Sequence, residues 1–432
     1  MSHMVAGKLI SAGALALSAS FFPFALAEAV TELNVAGSAS VALIANDLPR
    51  AVCSDGFDLP YPTRYSNASN TKVTWTCRLG VGTGFEQVIM RYSTTNSSDG
   101  ILKVQKPRTD PQSSALFLDH TQTTGCTGPV LVPFPDNPLR KYNKVMDCND
   151  GNTVSLPVDL GSSIVSGSSF HQVGPVGTAV VPLDTNNLSR YDAAVVPYSV
   201  FLGKQVVDRN YNIPGQPAAG PVMSLSRTEI ENTISRRVTD WRILGKGTTE
   251  VPGVLDATSP ITLCLQNAGS GLAAAIEALF MQHAKVTSIA NPSVIFSPSL
   301  SGVVNCLRNN PKSIGILPAH YAEVFTAPGS PYVVGVDDAF ALNPSGVSGK
   351  QQALECGRYP YWTNWQFYYR DEGDPTGLRT RYMFSARNSY RQFDPYGKYW
   401  SAIGLGMAVF KNADPGPLLF TLGTDNTQCS KQ

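Results

Sequence analysis

Short apolar runs alternate with polar, turn-rich stretches along this chain, and two periodicities can be separated in it. Runs dominated by β-branched and other apolar side chains predict strands at 32–36, 87–92, 193–200, 261–265, 313–317 and 332–336. Two windows repeat at helical spacing instead. Ser226 with Glu229 three residues later is a capping-box pattern, and Ile230, Ile234 and Val238 then recur on one face. After Gly269-Ser270-Gly271, a second stripe is formed by Leu272, Ala275, Ile276 and Leu279. Stretches 105–155 and 160–190, rich in Pro, Gly, Asn and Ser, predict loops or insertions. Tyr359, Tyr361, Trp362, Trp365, Phe367, Tyr368 and Tyr369 fall at roughly alternating spacing, which favours a strand packed on both faces over a platform for stacking sugars or a partner. Strands interleaved with helices predict an α/β fold, and no internal repeat is visible.

Composition narrows the function classes. A length of 432 residues predicts two or three domains, and 43% apolar residues can fill their cores. The net charge is +1 with 15% charged positions, so the chain has no surplus of Lys and Arg for neutralising phosphates and no nucleic-acid partner is expected. Lys8 precedes an apolar run that ends in Ala25-Leu26-Ala27, the pattern of a secretory signal peptide over 1–27. A soluble periplasmic or secreted protein, not embedded in a membrane, is expected. Eight cysteines in a chain bound for an oxidising compartment predict disulfides, and nearest-neighbour pairing gives Cys53/Cys77, Cys126/Cys148, Cys264/Cys306 and Cys356/Cys429.

Three turns of small residues are candidates for binding. Each follows a strand or opens a helix: Ser38-Ala39-Ser40 after Gly37, Ser97-Ser98 before Gly100, and Gly269-Ser270-Gly271. Backbone N–H groups at a helix start are unpaired and carry partial positive charge, so such turns can hold an anion or a polar ligand. Catalytic patterns are missing from the sequence. There is no G-x-S-x-G elbow, and His120, His171, His283 and His320 share no metal-binding spacing. Asp147-Cys148-Asn149-Asp150-Gly151-Asn152 lacks the glycine position and the closing glutamate of a calcium loop, so a turn is expected there. No enzyme activity, cofactor or metal is expected.

Taken in order, these segments resemble the periplasmic phosphate-binding proteins of ABC importers, of the type 2 periplasmic solute-binding fold. The segment 92–101 is similar to the family's tyrosine, glycine and serine loop. Val158-Asp159-Leu160-Gly161-Ser162-Ser163 is similar to its Val-Asp-Phe-Gly-Ala-Ser segment, and 261–271 to the strand and Gly-Ser-Gly turn that open its second ligand helix. The segment 225–245 resembles the family helix that ends in a Trp-containing motif, and 332–369 the return segment of its larger members. The resemblance implies an α/β, two-lobed fold with a cleft between the lobes and extra loop insertions. Lobe 1 would combine 28–204 with 333–432, and lobe 2 would be 205–332. It also implies a small oxyanion or polar solute as ligand, held by Ser38, Ala39, Ser40, Ser97, Ser98, Ser163, Gly269, Ser270 and Gly271, and a membrane component of an ABC importer as partner.

The chemistry at the matching positions departs from that family. Gln266 stands where the resemblance calls for an arginine, Ala268 and Ile164 where it calls for aspartates, and Leu272 and Ala39 where it calls for threonines; Asp99 replaces a glycine. Loss of the guanidinium removes a bidentate grip, and loss of the acceptor carboxylate removes the filter for a protonated phosphate. Two expectations therefore compete: a binder of a small oxyanion or polar solute, and a secreted structural or surface-interaction protein that reuses the fold around an eroded site.

Overall fold

A computed structural model of the chain describes residues 30–53, 61–81, 84–134, 137–171, 181–208, 220–250, 255–281, 284–288, 291–341, 354, 356–388, 401–402, 409–411 and 418–420. The signal-peptide segment, His283 and Cys429 lie outside them.

The architecture is mixed α/β around one large twisted sheet. The strands that matter here are β1 (Val30–Ser38), β2 (Thr63–Asn67), β3 (Lys72–Val81), β4 (Gly84–Thr95), β5 (Ser114–Leu118), β6 (Thr127–Phe134), β7 (Asn137–Cys148), β8 (Thr153–Pro157), β9 (Leu160–Ser163), β10 (Ser189–Leu202), β11 (Thr262–Gln266), β12 (Val294–Ser297), β13 (Ser313–Pro318), β14 (Tyr332–Val336) and β15 (Trp362–Tyr369). The principal helices are α1 (Ser97–Gln105), α2 (Arg227–Ile234), α3 (Gly271–Phe280), α4 (Leu300–Asn309) and α5 (Leu378–Asn388).

Strand β10 unites the sheet. Its first part, from Ser189 to Pro197, runs antiparallel to β15, and the order continues through β9, β1, β4, β3, β2 and β7 to β6. Its last part, from Tyr198 to Leu202, pairs with β13 on one side, and Val200 to Leu202 pair with β14 on the other. Beyond β13 lie β11 and β12, in parallel register. One 14-residue strand is thus shared by two halves of the sheet. Its last ten residues are all buried, which matches a strand with neighbours on both edges and cover on both faces.

All six strand windows read from the sequence coincide with strands, the window 261–265 starting one residue before β11. The aromatic run does too: Trp362 to Tyr368 are buried on both faces of β15. The capping box is formed, with the Ser226 hydroxyl accepting from the Glu229 N–H at 3.2 Å and the Glu229 carboxylate accepting from the Ser226 N–H at 2.7 Å. Helix α2 ends at Ile234, and Arg236 turns the chain at φ 65°, so Val238 packs from beyond the helix.

The loop expectation for 105–155 is overturned, because β5, β6, β7 and β8 fill most of it. The physical reason is position. Strand β6 closes one end of the sheet with most residues exposed, so it needs no apolar alternation, and an edge tolerates Pro129 and Pro133 because neither has an N–H to pair. The expectation for 160–190 needs a smaller correction: four buried residues of it form β9, between β1 and β15.

Three of the expected disulfides are present: Cys53–Cys77, Cys126–Cys148 and Cys264–Cys306. Cys356 is disulfide-bonded as well. Cys126–Cys148 ties the approach to β6 to the end of β7, and Cys264–Cys306 ties β11 to α4. Among the described residues no helix is long and apolar enough to cross a membrane.

Candidate functional site

The site is assembled where β1, β4 and β9 end and where α1 and α3 begin. Close backbone contact sets its floor. A Cβ on Gly37 would fall 1.9 Å from the Ser162 carbonyl oxygen, one on Gly100 2.6 Å from that of Ala36, and one on Gly161 2.4 Å from that of Gly100. These glycines let β1, α1 and β9 touch. Beneath them, the Tyr92 hydroxyl donates to the Ser38 carbonyl at 2.7 Å, and the Trp365 indole donates to the Ser162 hydroxyl at 2.9 Å. Burial pushes the Tyr92 phenol well above its ordinary range, so it remains a neutral donor.

Helices α1 and α3 meet end to end across this floor. The Ser98 hydroxyl donates to the Gly269 carbonyl at 2.6 Å. Gly271, the first residue of α3, lies so close to α1 that an added Cβ would be 2.3 Å from Ser97 Oγ and 2.7 Å from Ile164 Cγ1. The turns around Ser97-Ser98 and Gly269-Ser270-Gly271, 171 residues apart in sequence at the Ser98–Gly269 bond, are therefore brought together as expected.

Most of the candidate hydroxyls are committed locally. Ser270 Oγ caps α3 by accepting from the Ala273 N–H at 3.1 Å. Ser38 Oγ accepts from the Ser40 N–H at 3.2 Å, in a short 3-10 turn that continues through Ala39. Ser163 Oγ donates to the Val165 carbonyl at 2.6 Å and accepts from the Val165 N–H at 3.2 Å. Ser38, Ala39 and Ser40 stand at the same end of the sheet, where they serve the β1 turn. Ser97 is the exception. It is 1% exposed, and its Oγ has no hydrogen-bond partner.

Charge does not enter this point from either side. Ile164, fully buried, fills the place at which the resemblance calls for a carboxylate. Gln266 and Leu272 are buried in the second half. Asp99 turns along its own helix, with Lys103 Nζ at 3.6 Å. Asn96, at the N-cap of α1, makes no side-chain capping bond. What converges is a set of backbone N–H groups, one unpartnered hydroxyl and an isoleucine.

Sequence reasoning missed the other contacts around α3. Glu277 is 6% exposed, with His171 Nε2 at 3.3 Å and Lys285 Nζ at 2.6 Å. Phe280 stacks on Tyr361 with ring centroids 4.6 Å apart. The Tyr361 hydroxyl donates to Asp337 at 2.6 Å, and Asp337 also accepts from the Arg227 N–H that opens α2. Only the alternating aromatics hinted at this. Of the histidines, His320 is buried against Tyr321, and His120 lies 5.8 Å from Tyr65 between ring centroids. Among the described residues no group of His, Cys, Asp and Glu could hold a metal ion.

No family model and no curated protein matches the chain. Solved structures similar to it include a putative phosphate ABC transporter substrate-binding protein with bound phosphate from Clostridium perfringens, at 12% identity and TM-score 0.48, covering 86% of this chain and 99% of that one. An ABC-type phosphate transport receptor from Vibrio cholerae is similar at 11% identity and TM-score 0.42, covering 84% and 96%. An OxyR mutant from Corynebacterium glutamicum is similar at 9% identity and TM-score 0.38, covering 85% and 67%. At these scores the likeness carries no argument about the site, whose chemistry is set by this chain's own residues.

Proposed function

We propose that this chain is an exported, non-catalytic protein of two lobes that keeps a solute-binding architecture, has closed its ligand turn with its own side chains, and works as a structural or surface-interaction protein. Gly271 carries this reading. With Ser97 Oγ and Ile164 Cγ1 inside the space that a methyl group on Gly271 would need, the chain's own side chains fill that side of the turn, and among the described residues Ile164 stands where a carboxylate would be expected. Export is supported by the disulfides and by the leader pattern. The lobes of this reading are 28–204 with 333–432, and 205–332.

The test is thermal unfolding of the mature protein in phosphate, sulfate and small polar solutes. A ligand at 100 times its dissociation constant would stabilise the fold by about 2.7 kcal/mol. The expected result is an unchanged midpoint in each of them. A saturable rise with any one supports a second reading, in which a small oxyanion or polar solute is held by the amides of α1 and α3 and passed to the membrane component of an ABC importer. Ser97 favours that reading, since among the described residues its buried hydroxyl has no hydrogen-bond partner and can donate to a ligand. In that case Ser97→Ala should abolish the rise.

A further inference from the structure

We infer that the two halves of the molecule are locked together, with α3 serving as core to both, so that the cleft does not open by hinge motion. In α3, Leu272, Ala275, Ile276 and Leu279 form the face expected of a one-sided amphipathic helix, and they are buried in the same apolar cluster as Leu263 and Leu265 of β11. The rest of the helix surface, round which Gly271, Ala274, Glu277 and Phe280 wind at three-residue spacing, would meet water in an open cleft. Every one of these four is buried.

At three of these positions a partner comes from the other half, although Glu277 also meets Lys285 of its own half. Gly271 abuts Ser97 and Ile164, Glu277 meets His171, and Phe280 stacks on Tyr361. Immediately before the helix, the Gly269 carbonyl takes the Ser98 hydroxyl. The contacts run the length of the helix, from its first turn to its last. A helix apolar on all sides belongs inside a core, and motion between domains is the default only where their interface is small or polar. Buried apolar residues from Leu33 through Leu272 and Phe280 to Ala386 form one continuous cluster across both halves.

This inference is independent of whether any solute binds. It is tested on the whole mature chain by pulsed dipolar spectroscopy with spin labels at Thr109→Cys in the first half and Thr239→Cys in the second, both exposed positions. One narrow distance distribution is expected, unchanged by phosphate or sulfate. A second, longer population would overturn the lock. Hydrogen exchange supplies a check without substitutions: the slowest amides of α3 and β1 should exchange together, within about threefold, because α3 would open only when the whole fold does. Exchange of α3 through a separate opening, with β1 still protected, would overturn it as well. A ligand-induced thermal shift with an unchanged distance would sink the proposed function and leave the lock standing; a second distance without any thermal shift would do the reverse.

Discussion

Gly271 shows how one position can carry a turn and a close contact at once. Gly-Ser-Gly before a helix predicts a ligand turn, whereas here its last glycine provides the close approach of two helices. Gly271→Ala should destabilise the protein by about 1–3 kcal/mol in chemical denaturation, the cost of overpacking a filled contact. Combining it with Ile164→Ala should cost less than the sum of the two, because the second change removes the atom 2.7 Å from the new methyl. The site was legible in the sequence as turns and as missing charges. Its filling by Ile164 was not, because an isoleucine carries no local signal of what lies across from it. His320 gives a pH prediction at this scale. Burial pushes its imidazole down to about 3, so the folded protein refuses a proton that the unfolded chain accepts below about 6.5. The neutral imidazole therefore contributes stability that is full above about pH 6.5 and is lost progressively toward about pH 3. At pH 5 the loss is about 2 kcal/mol, and His320→Gln should flatten that part of a stability profile measured by urea unfolding.

Among the elements, legibility followed burial. Strands buried on both faces, such as β10 and β15, announced themselves as apolar or aromatic runs. The β6–β7 hairpin did not, because its residues from Thr127 to Leu131 face solvent and its prolines read as loop. Since an exposed two-stranded ribbon has little apolar burial to hold it, the hairpin depends on its pairing with β2 and on the Cys126–Cys148 bond. Replacing both cysteines by serine should cost about 3 kcal/mol in the chain-entropy account of a loop this long, measurable by urea titration of the oxidised protein. Helix α3 taught the complementary lesson. Its Leu272, Ala275, Ile276 and Leu279 face was legible from spacing, whereas the burial of Gly271, Glu277 and Phe280 around the rest of the helix draws on partners brought in from distant segments.

At the level of the whole molecule, the order of elements was legible enough to suggest an α/β body, while the long-range contacts around α3 were not. Local pattern carries no record of whether two lobes are separated by water or by packed rings, and here Phe280 lies on Tyr361. The shared strand β10 adds a mechanical corollary. From Ser189 to Leu202 a single extended backbone is clamped by β15 along its first part and by β13 and β14 along its last. Tension applied along that strand would load both clamps in shear, with many hydrogen bonds resisting at once. Along the direction of β10, the two parts of the sheet are thereby joined through one unbroken backbone.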